Sequence, residues 1–294
     1  ICGAANAGLG QFGAAIDSYR QALKIKPDFA EAYNNMGIAL HDKGELDAAI
    51  ESYKQAIKLK PDFAEAYYNM GNILKDNGHP EAAIVSYKQA LKIKPDYAEG
   101  YNNMGMALKD KGELDAAIAN FQQAIKIKPD HAIAYSNMAV CLQEKGDLKA
   151  AMDSCREALK IKPDYADAYY NLANALRDSG ELEAAIDCLK HALEIKPDYA
   201  KAYNNMGGVL QEKGDLEAAI DSFKKALAIK PDFEEAHAQK LHQQAQLCDW
   251  TAIPEDHENI SELGTLAQHI NPFALLATED APERHRLRSK LYSE

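Results

Sequence analysis

The chain has 294 residues, 47% of them hydrophobic, with 33 Lys and Arg against 45 Asp and Glu, for a net charge of −12. That balance argues against nucleic acid, whose binding rests on cations set against phosphates, and no apolar run approaches the roughly 20 residues that span a bilayer. The five cysteines occur singly, with neither the pairing of a disulfide framework nor that of a zinc site, so a reducing, cytoplasmic setting is expected.

A Lys-Pro-Asp tripeptide recurs with its prolines at Pro27, Pro61, Pro95, Pro129, Pro163, Pro197 and Pro231, every gap being 34 residues. A fixed period of this length marks a stacked-repeat architecture. Residues 1–29 keep phase at Gly3, Ala15, Tyr19, Ala22 and Pro27 and read as a truncated first unit. Six complete units follow, at 30–63, 64–97, 98–131, 132–165, 166–199 and 200–233. In the unit from Ala30 to Phe63, Tyr33, Met36, Gly37 and Leu40 form an apolar stripe at helical spacing. Gly44 is expected to end that helix in the left-handed region. A second stripe runs through Leu46, Ala49, Ile50, Tyr53, Ala56 and Ile57. Pro61 is expected to stop this second helix, and Asp62 to cap the next one. His79-Pro80 places a proline in the first turn of a second helix, where it is tolerated. After Phe233 the repeat dissolves. Glu234 to Leu247 still reads as a helix, and 234–294 as a helical capping and linker region leading to a further domain.

The unit resembles the tetratricopeptide repeat. The matching positions are Tyr33, Met36-Gly37, Ala49, Tyr53, Ala56 and Pro61, repeated at Tyr67, Met70-Gly71, Ala83, Tyr87 and Ala90, and again at Tyr101, Met104-Gly105, Ala117, Phe121 and Ala124. The unit at 200–233 matches with Tyr203, Met206-Gly207, Ala219, Phe223 and Ala226, while Ala139 and Cys155, and Ala173 and Leu189, depart mildly. The expected fold is all-α. It is an α-solenoid, a right-handed superhelix of 34-residue helix–turn–helix units with a helical C-terminal cap.

Two rows of polar residues carry the functional expectation. On the first helices, the side opposite the apolar stripe is expected to line a concave surface. Asn35, Asn69, Asn103, Asn137, Asn171 and Asn205 share one phase there. An amide offers both donors and acceptors, which suits the backbone of an extended peptide; bonding between neighbouring helices is the structural alternative. Seven residues further on stand Asp42, Asp76, Asp110, Glu144, Asp178 and Glu212. They read either as a solvated helix end or as a strip selecting Lys- or Arg-containing peptides. His237, His242, Cys248 and His257 match no metal spacing, and no phosphate loop or nucleophile motif occurs. The chain is therefore expected to hold no catalytic residue, metal or cofactor.

The tail adds a second resemblance. Cys248-Asp249-Trp250, directly after the repeats, is similar to the junction in SPINDLY-type O-linked N-acetylglucosamine transferases, and Asn271 to Leu276 with Asp280-Ala281-Pro282 to a segment leading to their catalytic region. The asparagine row likewise resembles that family's peptide-holding ladder. The resemblance implies a substrate-recruiting arm of a protein O-glycosyltransferase that binds extended polypeptide. The alternative is a stand-alone adaptor assembling a multiprotein complex; self-association through repeat ends or the convex face is a third.

Overall fold

The computed structural model describes residues 2–247, which fold into helices joined by short turns, with no strand among the described residues. It divides into two compact units between Lys145 and Gly146. The first unit holds α1 (Cys2–Gly8), α2 (Phe12–Ile25), α3 (Ala30–Asp42), α4 (Leu46–Leu59), α5 (Ala64–Asp76), α6 (Pro80–Ile93), α7 (Ala98–Asp110), α8 (Leu114–Ile127) and α9 (Ala132–Glu144). The second holds α10 (Leu148–Ile161), α11 (Ala166–Asp178), α12 (Leu182–Ile195), α13 (Ala200–Lys213), α14 (Leu216–Ile229) and α15 (Glu234–Gln246). Within each unit, α3 with α4, α5 with α6, α7 with α8, α11 with α12 and α13 with α14 form the tightest pairs. First helices of successive repeats also touch, through α3, α5, α7 and α9 in one unit and α11, α13 and α15 in the other.

The turn inside each hairpin follows from one glycine. Gly44 sits at φ 85°, and the amides of Gly44 and Glu45 donate to the carbonyls of His41 and Leu40, both at 2.8 Å. This closes two carbonyls that a helix end would leave open. Gly78, Gly112, Gly180 and Gly214 also have positive φ, and the same double bond recurs at each.

The turn between repeats is built differently from the expectation. α4 ends at Leu59, two residues before Pro61, but Asp62 caps nothing: the N-cap of α5 is Phe63, without a side-chain bond. The Phe63 amide donates to the Lys60 carbonyl at 3.1 Å, so Asp62 lies inside a tight turn, too early in the chain to reach the first free amides. The aromatic residue fixes the turn instead. Phe63 is buried, and Lys60 Nζ lies 4.7 Å above its ring. The same stacking holds at Lys94 over Tyr97, Lys196 over Tyr199 and Lys230 over Phe233. Lys60, Lys94 and Lys128 also pair with Glu31, Glu65 and Glu99 of the first helix in their own repeat. Pro80 opens α6, as its position in the sequence requires.

In four of the six complete repeats the core is a ring packed under a helix backbone. Tyr53, Tyr87, Phe121 and Phe223 are 0–1% exposed. A Cβ on Gly37, Gly71 or Gly105 would stand 2.7 Å from the ring of Tyr53, Tyr87 or Phe121, closer than packed atoms tolerate. The glycine at this phase is therefore required by the ring. In 166–199 both positions change together, to Ala173 and Leu189, and both are buried: one gains a methyl and the other loses part of its bulk. α15 packs on α14, with Ala236 joining the cluster of Phe223 and Ala226.

Candidate functional site: the first-helix face

All six row asparagines are half-buried. In the first unit they are knitted to their neighbours. Asn69 Nδ2 donates to Asn34 Oδ1 at 3.1 Å, and Asn137 Nδ2 to Asn102 Oδ1 at 3.0 Å. Between them, Asn103 Nδ2 donates to the Tyr68 hydroxyl and to Asn72 Oδ1, both at 2.9 Å. Asn72 Oδ1 also accepts from the Tyr87 hydroxyl at 2.8 Å, and Asn103 Oδ1 from Asn102 Nδ2 at 3.0 Å. A polar network thus ties the first helices of neighbouring repeats to the core tyrosine beneath them. In the second unit, Asn205 Nδ2 donates to Asn174 Oδ1 at 2.6 Å. A primary amide has two N–H groups and one carbonyl oxygen. Asn69 and Asn137 each spend one N–H on the inter-repeat bond, so a donor and an acceptor are left for the face.

The partners in this network escaped the sequence reading. Asn34 and Asn102 precede row asparagines in Asn-Asn doublets, and the doublet was the available signal: each first member accepts from the next repeat, and at 102–103 the second member reaches back a repeat. Tyr68 and Asn72 accept from Asn103 of the next repeat, and their phases vary from repeat to repeat, returning only as Tyr170 and Asn174.

The six acidic residues are all exposed. Three of them are paired with a cation, at Lys75, Lys109 and Arg177, which occupy the phase just before the row. Lys75 Nζ lies 3.2 Å from Asp76, Lys109 Nζ 3.9 Å from Glu144 of the next repeat, and Arg177 Nε 2.7 Å from Glu212 of the next repeat. The face therefore carries alternating charge, with the carboxylates outermost. Buried groups beneath it are held neutral. Burial pushes the Cys141 thiol up to about 11 and Cys155 to about 12, and raises the Tyr53 and Tyr87 phenols further. Neither of these thiols supplies a thiolate at neutral pH. His237 is buried with Nε2 2.9 Å from the Pro231 carbonyl oxygen; Cys248, His257 and the tail motifs lie outside the described residues.

The helical hairpins, their glycine turns and the Lys-Pro-Asp joints define the repeat, and a family model described as the cilia and flagella-associated protein 70 C-terminal domain, a tetratricopeptide-repeat model, matches residues 4–247. The chain belongs to this family. No curated protein matches it. Among solved structures, the repeat chain is similar to one in the APC/C hetero-tetramer Cut9-Hcn1, with a TM-score of 0.67 at 19% identity. That match covers 79% of this chain, which spans about half (48%) of the length of the matched one. MamA is 30% identical, with a TM-score of 0.51 over 56% of this chain and 97% of its own. YrrB, described as a TPR protein with an unusual peptide-binding site, is 24% identical, with a TM-score of 0.52 over 64% of this chain and 96% of its own. The family shown is thus the repeat itself. Among the described residues no helix is long and apolar enough to cross a membrane.

Proposed function

We propose that the chain is a protein–protein interaction scaffold whose first-helix face holds polypeptide in extended form. The observation that carries this reading is the half-buried asparagine row. Each amide bonded to the neighbouring repeat keeps hydrogen-bonding capacity, at a spacing set by the repeat and indifferent to the partner's sequence. The peptide-binding description of YrrB supports the same reading. The exposed carboxylates bias the partner towards Lys- and Arg-containing segments. Replacing Asp76, Asp110 and Glu144 by the corresponding amides removes three exposed charges, which are worth up to about 1 kcal/mol each. On a peptide array, basic peptides should then lose on the order of fivefold in affinity while neutral ones hold. An unaltered profile contradicts the charge selection.

A finer reading makes this scaffold the substrate-recruiting arm of a nucleotide-sugar-dependent protein O-glycosyltransferase. It is supported by the tail motifs from Cys248 to Pro282 and by the asparagine row. The reading frame beyond Glu294 tests it. Continuation into two Rossmann-like halves supports the enzyme arm, and a stop codon close behind leaves an adaptor. The cytoplasm is the proposed compartment, on the ground that Cys141, Cys155 and Cys188 are free thiols.

A further inference from the structure

In the second unit the network of the first-helix face has one open rung. Asn204 occupies the phase of Asn34 and Asn102, whose Oδ1 atoms accept from Asn69 and Asn137, each 35 residues later. The residue at that distance from Asn204 is Gln239 of α15. Gln239 is exposed and does not close the bond: Asn204 Oδ1 is buried and has no hydrogen-bond partner. A buried acceptor left this way costs about 1–3 kcal/mol, and its residue, Asn204, lines a cavity together with Gln239.

The cavity, of about 150 Å³, is lined among others by Arg177, Asn204, Asn205, Gly208, Gln211 and Glu212. It lies beside Gly208, where the other repeats carry Ile38, Asn72, Met106, Val140 and Asn174. A Cβ on Gly208 would already stand 3.4 Å from the Arg177 guanidinium nitrogens, so any longer side chain would take up this space. The wall is polar but close to neutral, because Arg177 Nε lies 2.7 Å from Glu212 Oε1. The volume is roughly ten times what one buried water requires, yet below the roughly 300 Å³ at which drug-sized ligand pockets begin. It suits a single side chain.

We propose that this cavity is a pocket for the primary amide of an Asn or Gln side chain in the bound polypeptide, an inference that rests on the polypeptide-binding reading above. The incoming N–H donates to Asn204 Oδ1, and the incoming carbonyl oxygen accepts from Gln211 or Arg177. A lysine would set a second cation beside Arg177. A carboxylate would bring no donor for Asn204 and would face Glu212. An aliphatic side chain would leave Asn204 Oδ1 unpaired, the case in which a polar site discriminates most strongly.

The test is a positional-scanning library of randomised dodecapeptides, captured on the intact chain and on two variants. Gly208→Val introduces the side chain that Val140 already carries at this phase, and Asn204→Leu removes the acceptor. The expected result is enrichment of Gln or Asn at one library position by about tenfold, the worth of one well-buried hydrogen bond. Both variants should lose that enrichment while the helical circular dichroism stays unchanged. Capture without amide enrichment, enrichment of Lys instead, or enrichment that survives both variants overturns the pocket and leaves the polypeptide face standing. Failure of the intact chain to capture any peptide overturns both.

Discussion

At the scale of single residues, the glycine at the phase of Gly105 is explained by its neighbour rather than by backbone freedom. Its missing Cβ would stand 2.7 Å from the Phe121 ring. Gly105→Ala gains about 1 kcal/mol of helix propensity and loses about 1–3 kcal/mol to overpacking. Because Ala173 occurs together with Leu189, the two positions should be coupled. In urea unfolding, Gly105→Ala combined with Phe121→Leu should be about 1 kcal/mol more stable than the sum of the single changes predicts; simple additivity would contradict the packing account. Burial also sets a pH dependence. An ordinary thiol titrates near 8.5 and a phenol near 10, whereas folding lifts Cys141 to about 11, Cys155 to about 12 and the Tyr53 and Tyr87 phenols above that. The folded state keeps protons that the unfolded state releases, so this stability is complete below about pH 8.5 and is lost as pH rises through the range above it. The urea midpoint should be level near pH 8 and fall from about pH 9. A midpoint unchanged at pH 11 would refute it.

At the scale of elements, the capping of the second helices is uneven. Asp147 and Asp215 accept from the amides of Ala150 and Ala218 at 3.1 and 3.3 Å, whereas Glu181, at the same phase, makes no such bond. Its side chain is one methylene longer and accepts from Ser179 Oγ instead, at 3.0 Å. Asp147→Ala should cost about 1 kcal/mol and Glu181→Asp should gain several tenths, read as shifts in thermal midpoint. No gain at Glu181 would show that the cap is limited by turn geometry rather than by side-chain length. The hairpins were legible in the sequence because the glycine turn and the two apolar stripes are each local and repeat without insertion. The joint at Lys60-Pro61-Asp62-Phe63 was read less well. A proline followed by aspartate has the local pattern of a cap, and only the bond from the Phe63 amide to the Lys60 carbonyl shows a turn that places Asp62 one residue too early. On the first-helix face the row itself was visible. The cations beside the carboxylates, at Lys75, Lys109 and Arg177, were not singled out, because their phase varies from repeat to repeat and Lys109 and Arg177 act across the repeat boundary.

At the scale of the whole molecule, one repeat is used over and over, so the binding surface we propose is a property of the row rather than of any one repeat. At Asn69 and Asn137 one N–H holds the neighbouring repeat and a donor and an acceptor remain for a partner, whereas Asn103 spends its Nδ2 on both Tyr68 and Asn72. Stability and binding therefore share residues. Asn103→Ala removes the donor to both Tyr68 and Asn72 and should cost about 1–2 kcal/mol of stability, so it is a poor probe of binding alone. Position-specific photo-crosslinking avoids the conflict. A photoreactive residue replaces either Met106, half-buried on the first-helix face of α7, or Val85, 60% exposed on the second helix α6, and each protein is irradiated with the same randomised peptide library. The account predicts peptide adducts at position 106 and none above background at position 85. Equal labelling at the two positions, or labelling at 85 alone, would contradict the assignment of polypeptide binding to the first-helix face.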